Sequence, residues 1–370
     1  MKHDFEFYYN HIASSRAKAL SKIKHLYLVI LAGGEGTRLF PYSNPERPKQ
    51  LCHINGGNRN KDTFLKRTIT NFVDCGFDRD HIFVVTSSEH QMAITRHQAA
   101  NPGGVPVKNV WEIPAIYGYA GTMVEATKRI AKLDAEAIVV NTPSDHYLTP
   151  NYQFISALSE AINYAEHGAI CEVGTVMYDT GIIAWRAAEF LASAPKDTEN
   201  LNLRQLQGVF DGCYNLAVGD FEWQDCDSFH RLYQALDKNL HHNVILGEGN
   251  YALDSSCHHS LFYVEKGLTL NACEVVNCAV IFTMIEDKPV LVIAHLGEDQ
   301  KIKDLAEEFV LQGKIINDEA MLNARNNQIL YSNLKEQSSV GFVGVSDFVV
   351  CVLRRSDYGT IEAEVFKQNN

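Results

Sequence analysis

The chain of 370 residues has no long hydrophobic run, no regular cysteine spacing and no excess of positive charge. No apolar stretch approaches the roughly 20 residues that a membrane helix needs, and the first 24 residues contain no apolar segment typical of a signal peptide. The nine cysteines follow no tight repeat. We therefore expect a cytoplasmic protein that does not bind membranes and has reduced, mostly buried thiols.

The charge balance argues against one class of partner. Lysine and arginine number 33 against 45 aspartates and glutamates, which gives a net charge of -12. Non-specific nucleic-acid binding needs a basic face, so we expect no nucleic-acid partner. An anionic substrate would need local cations or Mg²⁺ to offset this field. Hydrophobic residues make up 46% of the chain, enough for a sizeable core and more than one domain.

Short apolar runs alternate with helical patterns over the first two thirds of the chain. Such alternation is typical of a mainly parallel sheet with helices on both faces, and it predicts an α/β fold. The predicted strands are 26–32, 81–87 and 137–143, and the predicted helices are 62–77, 89–100, 121–134 and 151–168.

The pattern changes near residue 240, where short apolar runs follow one another with few helices. A helix is predicted at 299–313, and the segments 273–292 and 340–361 are alike enough in pattern to indicate an internal repeat. This pattern predicts a separate β-rich domain.

The chain is therefore divided into three parts. Residues 1–24 form an N-terminal helical extension, 25–240 the α/β domain and 241–370 the β-rich domain, through which the chain would form any homo-oligomer. The helical extension is predicted from a loose apolar face made by Phe5, Tyr8, Tyr9, Ile12 and Leu20.

The segment LAGGEGTRLFPYSNPERPKQL, residues 31–51, is here called the glycine loop. A buried strand enters it, and three glycines then let the backbone approach a ligand and expose N–H groups that suit phosphate oxygens. Arg38 follows at once, and Lys49 comes after Pro48. The spacing differs from the P-loop and from GxGxxG, and a lone GGxG is equally typical of a simple turn.

This stretch closely resembles the signature LxGGxGTRLxPxx…PK of the sugar-1-phosphate nucleotidyltransferases, and most of all the mannose-1-phosphate guanylyltransferases. The resemblance implies a Rossmann-like, GT-A-like catalytic domain. It also implies Mg²⁺ as cofactor and a nucleoside triphosphate and a sugar 1-phosphate as substrates, with GTP and mannose 1-phosphate favoured. By resemblance, Arg38 would hold the triphosphate and Lys49 would stabilise charge at the α-phosphate. The loop residues implied to bind nucleotide are Leu31, Ala32, Gly33, Gly34, Glu35, Gly36 and Thr37.

Two aspartates match the metal-binding segments of the family. Asp145, in TPSDH, resembles the aspartate of P-[AS]-D-H and follows a predicted strand. Asp225, in WQDCDSF, resembles the second metal carboxylate of W-x-D-V-G-S-W, with Asp227 where the family has glycine. Without the glycine loop, either aspartate would more often be structural.

Further segments resemble the base and sugar contacts. Glu112 in EIP, with Gly121 and Thr122 ahead of a helix, resembles the segment beside the base, although the sequence between them departs from the guanylyltransferase form. Asp179 and Gly181, in YDTGI, resemble the N-[ST]-G-[IM] segment that touches the sugar, with aspartate in place of asparagine.

The acceptor side departs from the family. Asp179 lies only 34 positions after Asp145, and no E-K-P segment for the sugar phosphate is found between them. Residues 202–209 stand where the family has S-[IF]-D-x-A-[VL]-[ML]-E, without the same carboxylates. The acceptor could be a different or smaller phosphorylated compound, the enzyme could have kept only nucleotide binding, or the sequence could lack a natural segment. A scaffold that oligomerises through its β domain is a further hypothesis.

Overall fold

The computed structural model describes residues 13–54, 62–209, 214–285, 288–311, 330–332, 340–343, 349–355 and 361–367. Phe5, Tyr8, Tyr9 and Ile12 of the predicted N-terminal helix lie outside these residues, as does part of the segment 340–361. The chain forms two compact units. The α/β unit comprises Met1–Gly34 and Phe64–Asp225, and the β unit comprises Glu35–Thr63 and Cys226–Asn370. The domain boundaries expected at residues 24 and 240 remain a prediction.

Nine strands lie in the α/β unit. They are β1 (Leu26–Leu31), β2 (Ile82–Thr86), β3 (Val110–Glu112), β4 (Ile138–Pro143), β5 (His146–Thr149), β6 (Ile170–Thr175), β7 (Asp179–Arg186), β8 (Tyr214–Gly219) and β9 (Glu222–Asp225). Seven of them form one sheet in the order β3-β2-β1-β4-β7-β6-β8, and β5 pairs with β9 in a small antiparallel sheet. Strands β1 to β4 are mutually parallel, whereas β7 runs antiparallel to both of its neighbours. The mainly parallel sheet expected from the sequence is confirmed.

Helices cover both faces of this sheet. They are α1 (residues 13–20), α2 (Phe64–Asp74), α3 (Ser88–Ala100), α4 (Gly118–Leu133), α5 (Tyr152–Glu166), α6 (Ala187–Ser193) and α7 (Leu203–Val209). Tyr27, Val29 and Leu31 of β1 share a core with α4 and α6, whereas α5 lies outside that core and packs against β4, β6, β7 and β8. Leu28 and Ile30, which alternate with those residues, are fully buried. Burial on both faces explains why the strand is apolar throughout.

Local capping fixes where α5 begins. The Asn151 side chain accepts hydrogen bonds from the N–H groups of Gln153 and Phe154, at 2.9 and 3.0 Å. An asparagine at this position satisfies donors that have no partner within the helix. Among the residues that the structure describes, no helix is long and apolar enough to cross a membrane.

The β unit contains ten strands and two helices in its described part. They are α8 (Phe229–Ala235), β10 (Val244–Leu246), β11 (Asn250–Leu253), β12 (Leu261–Val264), β13 (Leu268–Ala272), β14 (Cys278–Ile285), β15 (Lys288–His295), α9 (Asp299–Leu311), β16 (Leu330–Ser332), β17 (Val340–Val343), β18 (Val349–Arg355) and β19 (Ile361–Lys367). The β-rich C-terminal region with one interrupting helix, predicted at 299–313, is confirmed.

Short parallel strands stack on one another at the start of this region. Strands β10, β12 and β14 pair in parallel, as do β11 and β13, with partners such as Val244 and Leu261, or Asn250 and Thr269, lying 17 and 19 positions apart. Phe262, Val264 and Phe282 form part of the enclosed core. The chain therefore coils on itself, and each turn of the coil contributes one strand to each of two sheets.

The two segments of the expected repeat each contain antiparallel strands. Segment 273–292 includes β14 and most of β15, and segment 340–361 includes β17 and β18. The two pairs lie in different sheets. Each pattern therefore corresponds to a hairpin, and the internal repeat stays a prediction.

Candidate active site

The carboxyl ends of β1 to β4 meet at one edge of the seven-stranded sheet. Just past β1, the Ala32 N–H donates to the Val85 carbonyl at 2.7 Å, and just past β4 the Ser144 N–H donates to the Leu31 carbonyl at 3.0 Å. These bonds hold the chain in register beyond the ends of the strands. Open parallel sheets bind ligands outside the carboxyl ends of their strands, so functional groups are expected at this edge.

The glycine loop leaves the sheet at this edge and becomes exposed at once. Leu31 and Ala32 are buried, while Gly33, Gly34 and Glu35 are exposed. A Cβ on Gly33 would meet only the Ser87 nitrogen within 4 Å, at 3.6 Å. The exposed backbone can therefore present N–H groups to a ligand.

Of the two carboxylates expected to hold a metal, Asp225 lies in the small sheet and Asp145 lies directly before it. Asp145 directly precedes β5, and Asp225 ends β9 opposite His146. Trp223 Nε1 donates to His146 Nδ1 at 3.2 Å, so neutral His146 carries its proton on Nε2, which lies 3.9 Å from an Asp225 carboxylate oxygen. Asp145 thus precedes in sequence the residue that pairs with Asp225, so the two backbone positions are close to each other.

This donor set fits Mg²⁺. Magnesium is commonly held by one or two protein carboxylates, and phosphates and waters complete its shell. In the described part of the chain, no group of three or more His, Cys, Asp or Glu side chains could hold a metal ion. The buried hydroxyl oxygen of Ser144, the residue before Asp145, has no hydrogen-bond partner among the described residues.

A buried carboxylate supports the start of β7. The Gly181 N–H donates to Glu172 Oε1 at 2.9 Å, and the Tyr214 hydroxyl donates to the other carboxylate oxygen. Glu172 is 3% exposed. Burial raises the pKa of Glu172 and the negative charge of Asp179 adds to the rise, while the two hydrogen bonds oppose it.

Tyr119 completes a polar layer beneath Gly181. Its hydroxyl accepts from Asn141 Nδ2 at 3.4 Å, and a Cβ on Gly181 would lie 3.3 Å from the same oxygen. Tyr119 as a whole is 38% exposed, but desolvation of its hydroxyl raises its pKa, and the charges of Asp145 and Glu172 add to the rise while the Asn141 hydrogen bond opposes it. Sequence reasoning missed this layer, although a glutamate inside the apolar run ICEVGT was a signal, because a buried carboxylate needs partners.

The segment predicted to contact the acceptor follows a short hairpin turn. Residues 176–178 join β6 directly to β7, and the turn is closed by the Thr175 N–H, which donates to the Tyr178 carbonyl at 2.8 Å. Val176 and Met177 are each 76% exposed, and the Tyr178 ring lies 5.8 Å from the Trp223 ring. The small separation between Asp145 and Asp179 is thus taken up by β5, α5, β6 and this turn.

The expected base-binding residues lie at the end of β3 and in α4. Glu112 ends β3 and is half-buried. Gly121 packs against another part of the backbone, because a Cβ there would lie 2.1 Å from the Thr198 carbonyl oxygen. The Thr122 hydroxyl donates to the Gly118 carbonyl at 2.6 Å. These contacts explain the residues locally, and their role toward a base stays a prediction.

Gly36 and Lys49 come together in the β unit. Gly36 has a φ of 68° and precedes a short 3₁₀ turn, Thr37–Leu39. A Cβ on Gly36 would lie 2.6 Å from the Lys49 Cβ, and the Ser43 hydroxyl donates to the Gly36 carbonyl. Only glycine fits this position, since any side chain would be strained and would displace Lys49.

Arg38 and Lys49 differ in their surroundings. Lys49 is 4% exposed and begins the 3₁₀ turn Lys49–Leu51. The Arg38 side chain is 46% exposed, and its Nη1 donates to Asp227 at 3.3 Å. Asp227 also pairs with Arg231 Nε at 3.3 Å. The aspartate that replaces the family's glycine therefore gives Arg38 a carboxylate partner within the β unit.

Comparison with known proteins agrees with this picture. Residues 27–182 match the nucleotidyl transferase family. The mannose-1-phosphate guanylyltransferase of Salmonella montevideo is 24% identical over 212 residues, which cover 53% of this chain and 41% of that protein. The enzyme of the same name from Escherichia coli K12 is 28% identical over 159 residues, 41% of this chain and 30% of that protein. The match thus spans less than half the length of these relatives.

A solved structure extends the agreement to the fold. The Thermus thermophilus protein described as a mannose-1-phosphate geranyltransferase matches 77% of this chain and 99% of its own, with a TM-score of 0.59 and 16% identity. At that identity the likeness supports the fold alone. Residues 27–182 therefore resemble a nucleotidyl transferase, and the relatives found by sequence are mannose-1-phosphate guanylyltransferases.

Proposed function

We propose that this chain transfers a nucleotidyl group from a nucleoside triphosphate, with GTP favoured, to a sugar 1-phosphate, with mannose 1-phosphate favoured. The observation that carries the proposal is the glycine loop, whose exposed backbone follows β1 and whose Arg38 and Lys49 stand at the family positions. The similarity to mannose-1-phosphate guanylyltransferases supports the favoured pair of substrates.

The reaction needs no protein nucleophile. A phosphate oxygen of the acceptor attacks the α-phosphorus, the bond from that phosphorus to the bridging oxygen of the β-phosphate breaks, and pyrophosphate leaves. In the α/β unit, we assign the N–H groups of Gly33 and Gly34 to the triphosphate. In the β unit, we assign Arg38 to the triphosphate and Lys49 to the charge that develops at the α-phosphate.

Asp145 and Asp225 would hold Mg²⁺. The ion would offset the negative charge of the phosphates. The position of Asp145 directly before β5, whose first residue pairs with Asp225 of β9, supports this assignment. His146 Nε2 lies 3.9 Å from an Asp225 carboxylate oxygen, so the imidazole lies beside this proposed ligand.

Asp179 and Gly181 would contact the acceptor. The Glu172 carboxylate accepts a hydrogen bond from the Gly181 N–H, and this bond holds the start of β7 in position. Asp179 is exposed beside it and can only accept hydrogen bonds when ionised, so we assign it to hydroxyl groups of the acceptor.

Pyrophosphate release tests the proposal. The full chain is incubated with GTP, Mg²⁺ and mannose 1-phosphate, and then with other triphosphates and phosphorylated acceptors, beside Lys49→Ala. The matched control is Lys132→Ala, which removes an exposed lysine of α4. We expect release by the parent and by the control, above that of Lys49→Ala. Release no greater than that of Lys49→Ala across the whole panel contradicts the proposal.

A second candidate is a nucleotide-binding or regulatory homologue. The short hairpin between β6 and β7, with no E-K-P segment, favours it. It predicts triphosphate binding by calorimetry without turnover on any acceptor, and turnover on any acceptor removes it. A transferase that uses a smaller phosphorylated acceptor predicts turnover in the same panel without mannose 1-phosphate.

A homo-oligomer formed through residues 241–370 is a separate proposal. Light scattering of the full chain gives its mass in solution, and a mass of one chain at all concentrations contradicts it.

A further inference from the structure

Arg47 lies two positions before Lys49, and its side chain is only 18% exposed. Each of its guanidinium nitrogens has a partner in the β unit. Nε donates to the Tyr42 carbonyl at 2.8 Å, Nη1 to the Tyr263 hydroxyl at 2.8 Å and Nη2 to the Thr283 hydroxyl at 3.1 Å. Nη1 also lies 3.4 Å from Glu265 Oε2. These hydrogen bonds involve all three nitrogens of the planar guanidinium group, and the single amine of a lysine could not make them all.

These partners belong to neighbouring strands of the coil. Tyr263 lies on β12 and Thr283 on β14, and Glu265 follows β12 directly. Glu265 accepts from the Thr283 hydroxyl and, at 3.1 Å, from the Met284 N–H. The charged partner of Arg47 is therefore held in place by the sheet itself.

The chain between Arg47 and Lys49 leaves little freedom. Asn44 and Arg47 exchange backbone hydrogen bonds of 2.9 and 3.0 Å, which close a tight loop before the anchor. Pro48 has its φ fixed by its ring, and the 3₁₀ turn begins at Lys49, where the Cys52 N–H donates to the Lys49 carbonyl at 3.0 Å. The hydrogen bonds that fix the position of Arg47 therefore also restrict the backbone of Lys49.

We propose that Arg47 is a positioning residue. Its hydrogen bonds to strands β12 and β14 hold the segment 44–51, which contains Lys49, against the C-terminal coil. The inference rests on the proposed function, because it assumes that Lys49 acts at the α-phosphate. It gives the coil a part in the reaction, since the strands that receive Arg47 set the position of Lys49.

A purely structural role predicts something different. A buried arginine with several hydrogen bonds also stabilises the fold, and its loss would then add to any other defect. A residue that acts through Lys49 has no further effect once the lysine is gone, so the losses are not additive.

The experiment compares Arg47→Met and Arg47→Lys with the parent, each alone and combined with Lys49→Ala. The matched control is Arg186→Met, because Arg186 ends β7 and pairs with Glu136 at the surface. Initial rates of pyrophosphate release are measured over a range of triphosphate concentrations. Thermal unfolding reports whether each variant is folded.

We expect Arg47→Met to lower kcat about tenfold or more, with KM for the triphosphate nearly unchanged, since a displacement of about 1 Å can have such an effect. Arg47→Lys retains part of the rate, Arg186→Met retains all of it, and Arg47→Met adds no further loss to Lys49→Ala. If Arg47→Met does not fold, Tyr263→Phe and Thr283→Val are used instead. Each removes one hydroxyl that accepts a hydrogen bond from Arg47, and each should give a smaller decrease in kcat.

A second measurement does not need turnover. Acetylation of the Lys49 amine, followed by mass spectrometry, should be severalfold faster in Arg47→Met than in the parent, because the lysine is no longer held in its buried position. If the parent releases no pyrophosphate with any acceptor, the proposed function fails while the labelling still decides the inference. An unchanged acetylation rate in a folded Arg47 variant, or additive losses beside an active parent, overturns the positioning role.

Discussion

The nucleotide segments and the acceptor segments of this chain have kept different amounts of the family pattern. The glycine loop carries its glycines, Arg38 and Lys49 in order, and the structure packs Gly36 directly against Lys49. The acceptor segment is a three-residue turn between β6 and β7, with aspartate where the family has asparagine. The first region departs little from the signature of the sugar-1-phosphate nucleotidyltransferases, and the second departs from it more.

The difference separates the chemistry from the choice of acceptor. Attack at the α-phosphorus depends on positioning and on charge near the triphosphate, and these are the roles proposed for the glycine loop. The acceptor contributes only an oxygen nucleophile, so the residues that recognise the rest of it can change without loss of the reaction. Function thus depends on particular sites rather than on the fold as a whole.

The largest expected effect falls on the nucleotide side. Lys49→Met keeps most of the volume of the side chain and removes its charge, so we expect kcat to fall by roughly 10²- to 10³-fold. Rates of pyrophosphate release at saturating substrates measure this. An unchanged rate would break the comparison, because the retained pattern would then have no chemical role.

The carboxylates proposed to hold Mg²⁺ come next. Asp225→Asn removes one of the two charges proposed for Mg²⁺, and we expect the Mg²⁺ concentration for half-maximal rate to rise on the order of 10- to 100-fold. Asp220→Asn, an exposed aspartate in the same unit, is the matched control. Equal Mg²⁺ requirements in the two variants would argue against Asp225 as a ligand.

Asp179→Asn tests the residues proposed to contact the acceptor. It restores the family residue and keeps an oxygen that can accept from an acceptor hydroxyl, while it removes a negative charge that would repel the acceptor phosphate. We therefore expect KM for mannose 1-phosphate to fall about threefold to tenfold. KM for the triphosphate should stay the same. A change in KM for the triphosphate alone would mean that the two regions are not separable in the way described.

The smallest expected effect is on stability. Because the pKa of Glu172 is raised in the folded protein, its contribution to the free energy of unfolding is fully present below its ordinary pKa and is lost as pH rises through the raised value. Gln does not titrate and can still accept from Gly181 and donate to Tyr214. The melting temperature of Glu172→Gln minus that of the parent should therefore increase as pH rises from 4 to 8. A constant difference over that range contradicts the assignment.

The sequence predicted the elements of the fold well where each is defined by its own residues. The strand at 26–32 and the helix at 151–168 appear as Leu26–Leu31 and Tyr152–Glu166, because apolar runs and caps are local signals. The sequence could not pair Glu172 with Gly181 or Arg47 with Tyr263. Those partners meet only after the strands have found their neighbours.

Gly121 shows that one residue type can be required for two different reasons that the sequence does not distinguish. Its place ahead of a helix resembled a base-binding segment, yet in the structure its missing side chain makes room for the Thr198 carbonyl. A glycine required by packing and one required by a ligand are identical in sequence, and only the neighbouring backbone distinguishes them.

Calorimetric titration of the full chain with GTP in the presence of Mg²⁺, beside Arg38→Ala, tests the retained nucleotide side most directly. Arg38 is exposed and its pair with Asp227 contributes little to stability, so the variant should fold as the parent does. We expect the parent to bind with a dissociation constant between about 1 μM and 1 mM, and the variant to bind about tenfold or more weakly. No binding of any nucleoside triphosphate, or equal affinity in the two proteins, would contradict the account.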